Sequence, residues 1–502
     1  MPRKPSHFAL MLPAREPGAV AARWLYAALR AGILEGRLRP GARVPATRDL
    51  ARLYGLSRGT IVGAFEQLKS EGYLKARVGS GTYVARVLPD RLLEAPRPAR
   101  APSAERRRQP RRLSDYGRQV RRFPNLVPGP VRAFRTDQPA LDLFPTTLWA
   151  QVAARRLRQA STELLLACGP MGYRPLQQAI TDYLTTARGV ICLPDQVAIV
   201  SGVQEAIDLT ARLFLNPGDR VAIENPGYPG ATLVFDAVGG TVVPIPLDDE
   251  GLIVDRSFLE GSRLVYVTPA HQFPLGVSLS LPRRLALLEW ARRSGALIFE
   301  DDYDSEFRYA GRPVPALQGL DRHGQVLFAG SFSKVLFPSL RLGYLVVPQD
   351  LVDRVAATQS VTHRHAPLLE QAILADFIVG GHFGRHVRRM REVYAERLGV
   401  LLESAKARLA GLLEISSVEA GLQTVGWLGE GIDGAAAAAA AARREVEATP
   451  VARYGHGRVA RNGLQLGFAA VDPPEIERGV RDLAAALEGL RSPRSIGRRT
   501  TR

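Results

Sequence analysis

The sequence predicts a multidomain chain with two folded units of different class: a small winged helix-turn-helix, α with a β wing, and then a large α/β unit built on a mostly parallel sheet. Three observations carry this. Between residues 18 and 86, three short segments with apolar residues at helical spacing are followed by two strand-like stretches around a Gly-Ser-Gly turn. From residue 125 to about 490, short apolar strands alternate with amphipathic helices, the pattern of parallel βαβ units. Between the two, residues 87–124 are rich in Pro and Arg and too poor in apolar side chains to build a core, so an extended or disordered linker is expected.

The chain has 502 residues, 46% of them hydrophobic, which allows more than one sizeable core. Its N-terminal residues contain no apolar run long enough for a signal peptide or membrane span, and its two cysteines cannot make a disulfide framework. A reducing cytoplasm is the expected location. Neither cysteine has metal-ligand company, and no metal is expected. The net charge of +18 is segregated. Lys and Arg stand at 15 against 5 Asp and Glu in residues 1–86, 11 against 4 in 87–124, and 36 against 40 in 125–490. A near-neutral body behind a cationic head and linker points to a polyanionic partner, double-stranded DNA above all.

In the head, residues 20–35 read as an amphipathic helix with Trp24, Leu25, Leu29 and Ile33 near one face, ended by Pro40-Gly41. Thr47 is expected to cap a short second helix, Arg48 to Tyr54, with Gly55 closing it in a left-handed cap. Ser57 is expected to cap a third, in which Ile61, Phe65 and Leu68 pack inward and Arg58, Gly59 and Val62 face out. Two helices across a tight turn place the second in the major groove of DNA. Residues 73–78 and 82–84 flank Gly79-Ser80-Gly81 as a hairpin. The run Pro40-Gly41, Arg48-Asp49-Leu50-Ala51, Leu56-Ser57-Arg58-Gly59-Thr60, Glu71-Gly72-Tyr73-Leu74 and Gly79-Ser80-Gly81-Thr82-Tyr83-Val84 resembles the GntR-type winged-helix domain. That resemblance implies DNA contacts at Arg48, Ser57, Arg58, Thr60 and Gly79. Val62 and Ala46-Thr47 stand where relatives carry other side chains, which implies a different operator rather than loss of DNA binding.

In the linker, Pro89, Pro96, Pro98, Pro102 and Pro110 alternate with arginine runs. As polyproline-like chain it would span on the order of 100 Å. The readings are a solvated tether or a tether that also touches phosphates.

In the body, strands are expected at 197–201, 220–223, 241–245, 264–267, 297–299, 326–329 and 343–347. Strand 197–201 runs through Ser201-Gly202 into a helix beginning Val203-Gln204, whose free backbone N–H groups would hold an anion. Tyr228 follows the next strand and offers a ring for stacking. Strand 297–299 ends in Glu300-Asp301-Asp302-Tyr303, and strand 326–329 leads to Ser331, Lys334 and Arg341. A lysine in an apolar setting beside another cation attacks aldehydes as the free amine. With a carboxylate for the pyridinium nitrogen, a phenol near the ring hydroxyl, and a hydroxyl and guanidinium for a phosphate ester, the set is what pyridoxal 5'-phosphate needs. A plain strand-end salt bridge between Asp301 and Lys334 is the alternative.

Ser331-Phe332-Ser333-Lys334 with Arg341-Leu342-Gly343-Tyr344 resembles the lysine motif of fold-type I aminotransferases, which implies an aminotransferase-like pyridoxal-phosphate domain over residues 125–490. In that family the loop Thr268 to Gly276 contacts the ring hydroxyl, making His271 and Gln272 candidates. Taken with the head, the chain resembles the MocR/GabR transcription regulators. This implies a homodimer, including head-to-tail domain swapping, with the cofactor as an internal aldimine on Lys334. It also implies an amine, an amino acid or the cofactor itself as effector.

Departures from an enzyme stand at three places. Leu464 occupies the position of the carboxylate-binding arginine, and Arg461 sits at an odd offset on that strand. Ala167 replaces the tyrosine that reaches the neighbouring subunit's phosphate. The expected function is therefore a sensor, and the competing one a working aminotransferase that carries a DNA-binding head. No catalytic residue is assigned. Residues 435–442, eight alanines, are expected to form an outer helix, and 491–502 a basic tail.

Overall fold

The computed structural model describes residues 12–15, 18–77, 80–87, 111–123, 129–309, 315–415, 418–457, 459 and 461–490. Most of the expected linker, Gly79 and the basic tail lie outside them. The chain divides into two compact units, Met1–Arg111 and Arg112–Arg502.

The first unit contains helices α1 (Ala21–Leu34), α2 (Thr47–Tyr54) and α3 (Arg58–Ser70) and the strands β1 (Leu74–Arg77) and β2 (Gly81–Val84). Leu25, Leu29 and Ile33 of α1 and Ile61, Phe65 and Leu68 of α3 are all buried in one cluster, as their spacing requires, while Trp24 packs at its edge. Gly55 closes α2 at φ 62°, ψ 33°, and the Ser57 hydroxyl accepts from Thr60 N–H at 3.1 Å to start α3. Thr47 differs from expectation. It is the first residue inside α2, and extended Ala46 stands at the cap with no side-chain bond. The wing is antiparallel, with Leu74 opposite Val84 and Arg77 opposite Gly81.

The second unit is an α/β body. Its main sheet contains β3 (Val197–Val200), β4 (Arg220–Asn225), β5 (Thr241–Asp248), β6 (Gly251–Leu252), β7 (Ser262–Val267), β8 (Leu297–Asp302), β9 (Val326–Ser331) and β10 (Gly343–Val346), in the order β3-β10-β9-β8-β7-β4-β5-β6. All seven expected strands are present. Strand β10 is antiparallel to both β3 and β9, and β6 to β5; the remaining pairings are parallel. A second sheet of β11 (Leu413–Ile415), β12 (Gln423–Leu428), β13 (Thr449–Pro450) and β14 (Gly463–Gly467) runs in the order β11-β12-β14-β13. The alanine run forms helix Gly434–Ala442, opened by Asp433 accepting from Ala436 N–H at 2.8 Å. Its small side chains let it lie close to helix Pro473–Glu488.

Part of the segment read as extended linker is ordered. Residues Asp115–Gln119 form a helical turn capped by Ser114. Tyr116 of that turn takes the Arg212 guanidinium over its ring at 5.5 Å, a long-range contact that composition does not reveal. Among the described residues no helix is long and apolar enough to cross a membrane, and no group of three or more metal-ligating side chains occurs.

Phe65 lies 2% exposed at the centre of the head's cluster. Phe65→Ala should cost the head about 3–5 kcal/mol, read as a lower midpoint for its unfolding in denaturant.

Candidate functional site

Strands β4, β7, β8 and β9 run parallel, and β3 runs with them because β10 opposes both β3 and β9. Their C-terminal ends therefore share one edge, where open α/β sheets place ligands. A small cavity of about 50 Å³ lies there. It is lined by Lys334, Asp301, Tyr303, Tyr228 and Val203, five of the residues singled out in the sequence, joined by Asp137, Tyr266, Thr268 and Phe273.

Strand alternation sorts the acidic run at the end of β8. Glu300 accepts from the N–H groups of Leu317 and Gln318, both at 2.8 Å, and Asp302 accepts from Arg188 Nε at 2.8 Å in a buried ion pair. Asp301 points to the other face, into the cavity. Its Oδ2 accepts from the Tyr266 hydroxyl at 2.5 Å, while Oδ1 is buried with no hydrogen-bond partner. Burial pushes the Asp301 carboxyl up to about 7; the Tyr266 bond opposes the rise, Asp302 and Asp304 add to it, and Lys334 opposes it. A buried carboxylate oxygen without a donor is suited to a protonated ring nitrogen, so the site has the polarity a pyridinium requires.

Lys334 Nζ donates to the Asp137 carbonyl at 2.8 Å and lies 3.2 Å from Asp137 Oδ1. The strand-end salt bridge with Asp301 is not formed. Among the described residues, the charged group that accompanies the amine is the Asp137 carboxylate. The sequence offered no signal for Asp137, which comes from a loop 197 residues upstream. Tyr266 was missed for another reason: it lies in an apolar strand and reads as core.

The Tyr228 ring sits 6.4 Å from that of Tyr266, nearly parallel to it, and edge-on to Phe273, so an aromatic wall lines the cavity. Its hydroxyl donates to Gln204 Oε1 at 3.2 Å, and Gln204 Nε2 donates to the Gly230 carbonyl. The Gln204 side chain is thus taken up by the wall. His271 lies behind Tyr303 and does not line the cavity. Its Nδ1 is 3.0 Å from both Asp304 carboxylate oxygens and 3.1 Å from the Tyr303 hydroxyl. Gln272 donates to the Pro226 carbonyl at 2.9 Å and fixes the loop.

Ser331, Arg341 and Gly202 meet at the β3–β9–β10 end. Gly343 pairs with both Ser331 and Val200. Arg341, in left-handed backbone at φ 50°, brings its guanidinium against Gly202, where a Cβ would lie 3.5 Å from Nη1. Gly202 itself has φ 113° and opens helix Val203–Phe214. A guanidinium, a hydroxyl that accepts from Ser333 N–H at 3.2 Å, and a helix start near a glycine are the groups a phosphate ester takes.

Leu464 is fully buried in the body's core, and Arg461 lies over the Trp427 ring at 4.7 Å, 3.5 Å from Glu414. Neither lines the cavity. In the head, Arg48 and Arg58 are exposed, and neither pairs with a carboxylate among the described residues. The Ser57 and Thr60 hydroxyls lie 2.8 Å apart.

Two family profiles match: "Aminotransferase class I and II" over residues 138–483, and "Bacterial regulatory proteins, gntR family" over 21–84. The chain is 39% identical to the probable rhizopine catabolism regulatory protein MocR of Rhizobium meliloti, over 94% of each chain. It is 34% identical to the HTH-type transcriptional regulator TauR of Rhodobacter capsulatus, over 91% of this chain and 94% of that one. Among solved structures, the multiple substrate aminotransferase of Thermococcus profundus aligns with a TM-score of 0.69 at 28% identity, over 75% of this chain and 97% of that one. The kynurenine aminotransferase of Pyrococcus horikoshii aligns at 0.67 and 28%, over 72% and 91%.

The raised Asp301 pKa fixes a sign. The folded protein holds this proton up to about pH 7 and the unfolded chain releases it near 4, so the stability the group contributes is complete below 4 and lost as pH rises through 7. In cofactor-free protein, Asp301→Asn keeps the acceptor for Tyr266 and removes the titration. It should raise stability at pH 8 by a few kcal/mol at most, with no gain at pH 4, measured by chemical denaturation at the two pH values.

Proposed function

Because the chain belongs to the MocR/GabR family of transcription regulators, a GntR-type head joined to an aminotransferase class I and II body, we propose that it binds operator DNA and holds pyridoxal 5'-phosphate, sensing the cofactor or an amine that reacts with it. The observation that carries the cofactor reading is the donorless, buried Oδ1 of Asp301 in the same cavity as the Lys334 amine. When bound, the cofactor supplies an electrophilic aldehyde and a ring that withdraws electrons. Lys334 is the nucleophile, and Asp301 holds a proton at the ring nitrogen. Tyr303, steadied by His271, serves the ring hydroxyl, and Tyr228 packs on the ring face. Gly202, the Val203 and Gln204 N–H groups, Ser331 and Arg341 hold the phosphate.

The head reads DNA through Arg48, Ser57, Arg58, Thr60 and the wing at Gly79. Exposed cationic side chains at the starts of α2 and α3 support this. We assign residues 18–86 to the head, 87–124 to the linker, 125–490 to the body and 491–502 to a basic tail, in a cytoplasmic homodimer. The exposed side chains of Leu157, Leu165 and Leu166 support a covering partner. The retained lysine and aspartate favour a second reading, residual transamination. Against rapid turnover stands Leu464, buried where an anchoring guanidinium is needed to orient an amino acid. Ligand acts by unequal affinity for two arrangements of heads and bodies.

Incubation with pyridoxal phosphate should give the purified protein a visible absorbance band, and Lys334→Ala should lose it; an unchanged band in the variant would refute the role of Lys334. Arg58→Ala should weaken operator binding by about 1–3 kcal/mol if it reads a base. Wild-type binding should weaken with a negative log–log salt slope, measured by fluorescence anisotropy, and a slope of zero would count against phosphate contact.

A further inference from the structure

Asp137 stands where the cofactor reading requires no carboxylate. Its placement is built from several sides. The residue has φ 63° and Phe134, three before it, has φ 66°; both are left-handed conformations that non-glycine residues rarely adopt. Its N–H donates to the buried Gln423 side chain at 3.1 Å. Upstream, Phe134 bridges to Gly467, and a Cβ on Gly467 would lie 1.9 Å from the Arg135 carbonyl. The loop is therefore pressed onto the second sheet by a contact only glycine permits. The outcome is a carboxylate 3.2 Å from the one amine in the cavity. The described residues lining that cavity include two carboxylates, Asp137 and Asp301, one ammonium and no guanidinium.

From this we infer that Asp137 selects the effector: a primary amine without a carboxylate on its amino-bearing carbon is accepted, and an α-amino acid is disfavoured by charge. The inference rests on the reading that Lys334 carries the cofactor aldehyde. An incoming amine must place its nitrogen where the Lys334 nitrogen acts, which brings a carboxylate one carbon away to within about 5–6 Å of Asp137. At the effective dielectric of a half-exposed site, two like charges at that distance lower occupancy roughly tenfold to a hundredfold. An ammonium or hydroxyl elsewhere on the effector meets no such penalty, and a second cationic group would be favoured. If Asp137 served only to hold Lys334, its removal would change both kinds of amine alike.

The test uses full-length protein loaded with pyridoxal phosphate. Ethylamine and L-alanine, which differ only by the carboxylate, are titrated against the visible band, each normalised to the same titration of free pyridoxal phosphate. Wild type should half-saturate with ethylamine at a concentration at least tenfold below that for alanine. In Asp137→Asn and Asp137→Gly, both compatible with left-handed backbone, that preference should fall at least tenfold. Equal preference in wild type and both variants, or a wild type that favours alanine, would overturn the inference while leaving the cofactor reading intact. Loss of the band in both variants would overturn it too, because Asp137 would then be holding the lysine rather than screening amines. A wild type that never develops the band overturns the cofactor reading and this inference with it.

Discussion

The cavity at the strand ends is governed by its polar lining: two carboxyl groups, Asp137 and the buried Asp301, face the single amine of Lys334. Asp301 is buried, accepts one hydrogen bond and leaves one oxygen without a donor. Taking such a group out of water is costly unless something cationic arrives to meet it. Its neighbours Glu300 and Asp302 turn to the opposite face, where Glu300 accepts from two backbone N–H groups and Asp302 pairs with Arg188 through one oxygen, its other oxygen also being buried without a donor. A protonated heterocycle would complete such a site, and the near-parallel rings of Tyr228 and Tyr266 offer an aromatic wall beside it.

The same logic of placement applies to the chain as a whole. The body is close to electrically neutral, and the cationic excess is held in the head, the linker and the last twelve residues. A surplus confined in this way attracts nucleic acid without drawing polyanions onto the body. The cavity of the body and the helix pair of the head thus keep separate electrostatics within one polypeptide.

Much of this was legible in the sequence because local rules agree with the tertiary result. Gly55 and Ser57 announce the turn between α2 and α3, and the spacing of Ile61, Phe65 and Leu68 announces the buried face. The strands of the main sheet are short apolar runs with polar ends, which puts Asp301, Tyr303 and Lys334 at one edge from the sequence alone. What was not legible depends on distance along the chain or on ambiguous chemistry. Asp137 reaches Lys334 from a loop whose path is set by Gly467 and Gln423, far downstream. Tyr266 is indistinguishable from a core aromatic until its hydroxyl is seen on Asp301. His271 lies in the right loop but one layer back, because Asp304 claims its ring nitrogen. Thr47 has the chemistry of a cap, but the helix starts one residue earlier than that role allows.

Of the five lysines in the sequence, only Lys334 and Lys406 fall in the body, and Lys406 is exposed at the end of a long outer helix. This makes the central claim directly measurable. Protein incubated with pyridoxal phosphate, reduced with borohydride and digested should carry the cofactor mass at one position, Lys334, in close to one copy per chain. Protein that carries no such mass, or carries it on Lys406 or on the lysines of the head with Lys334 unmodified, would contradict the account.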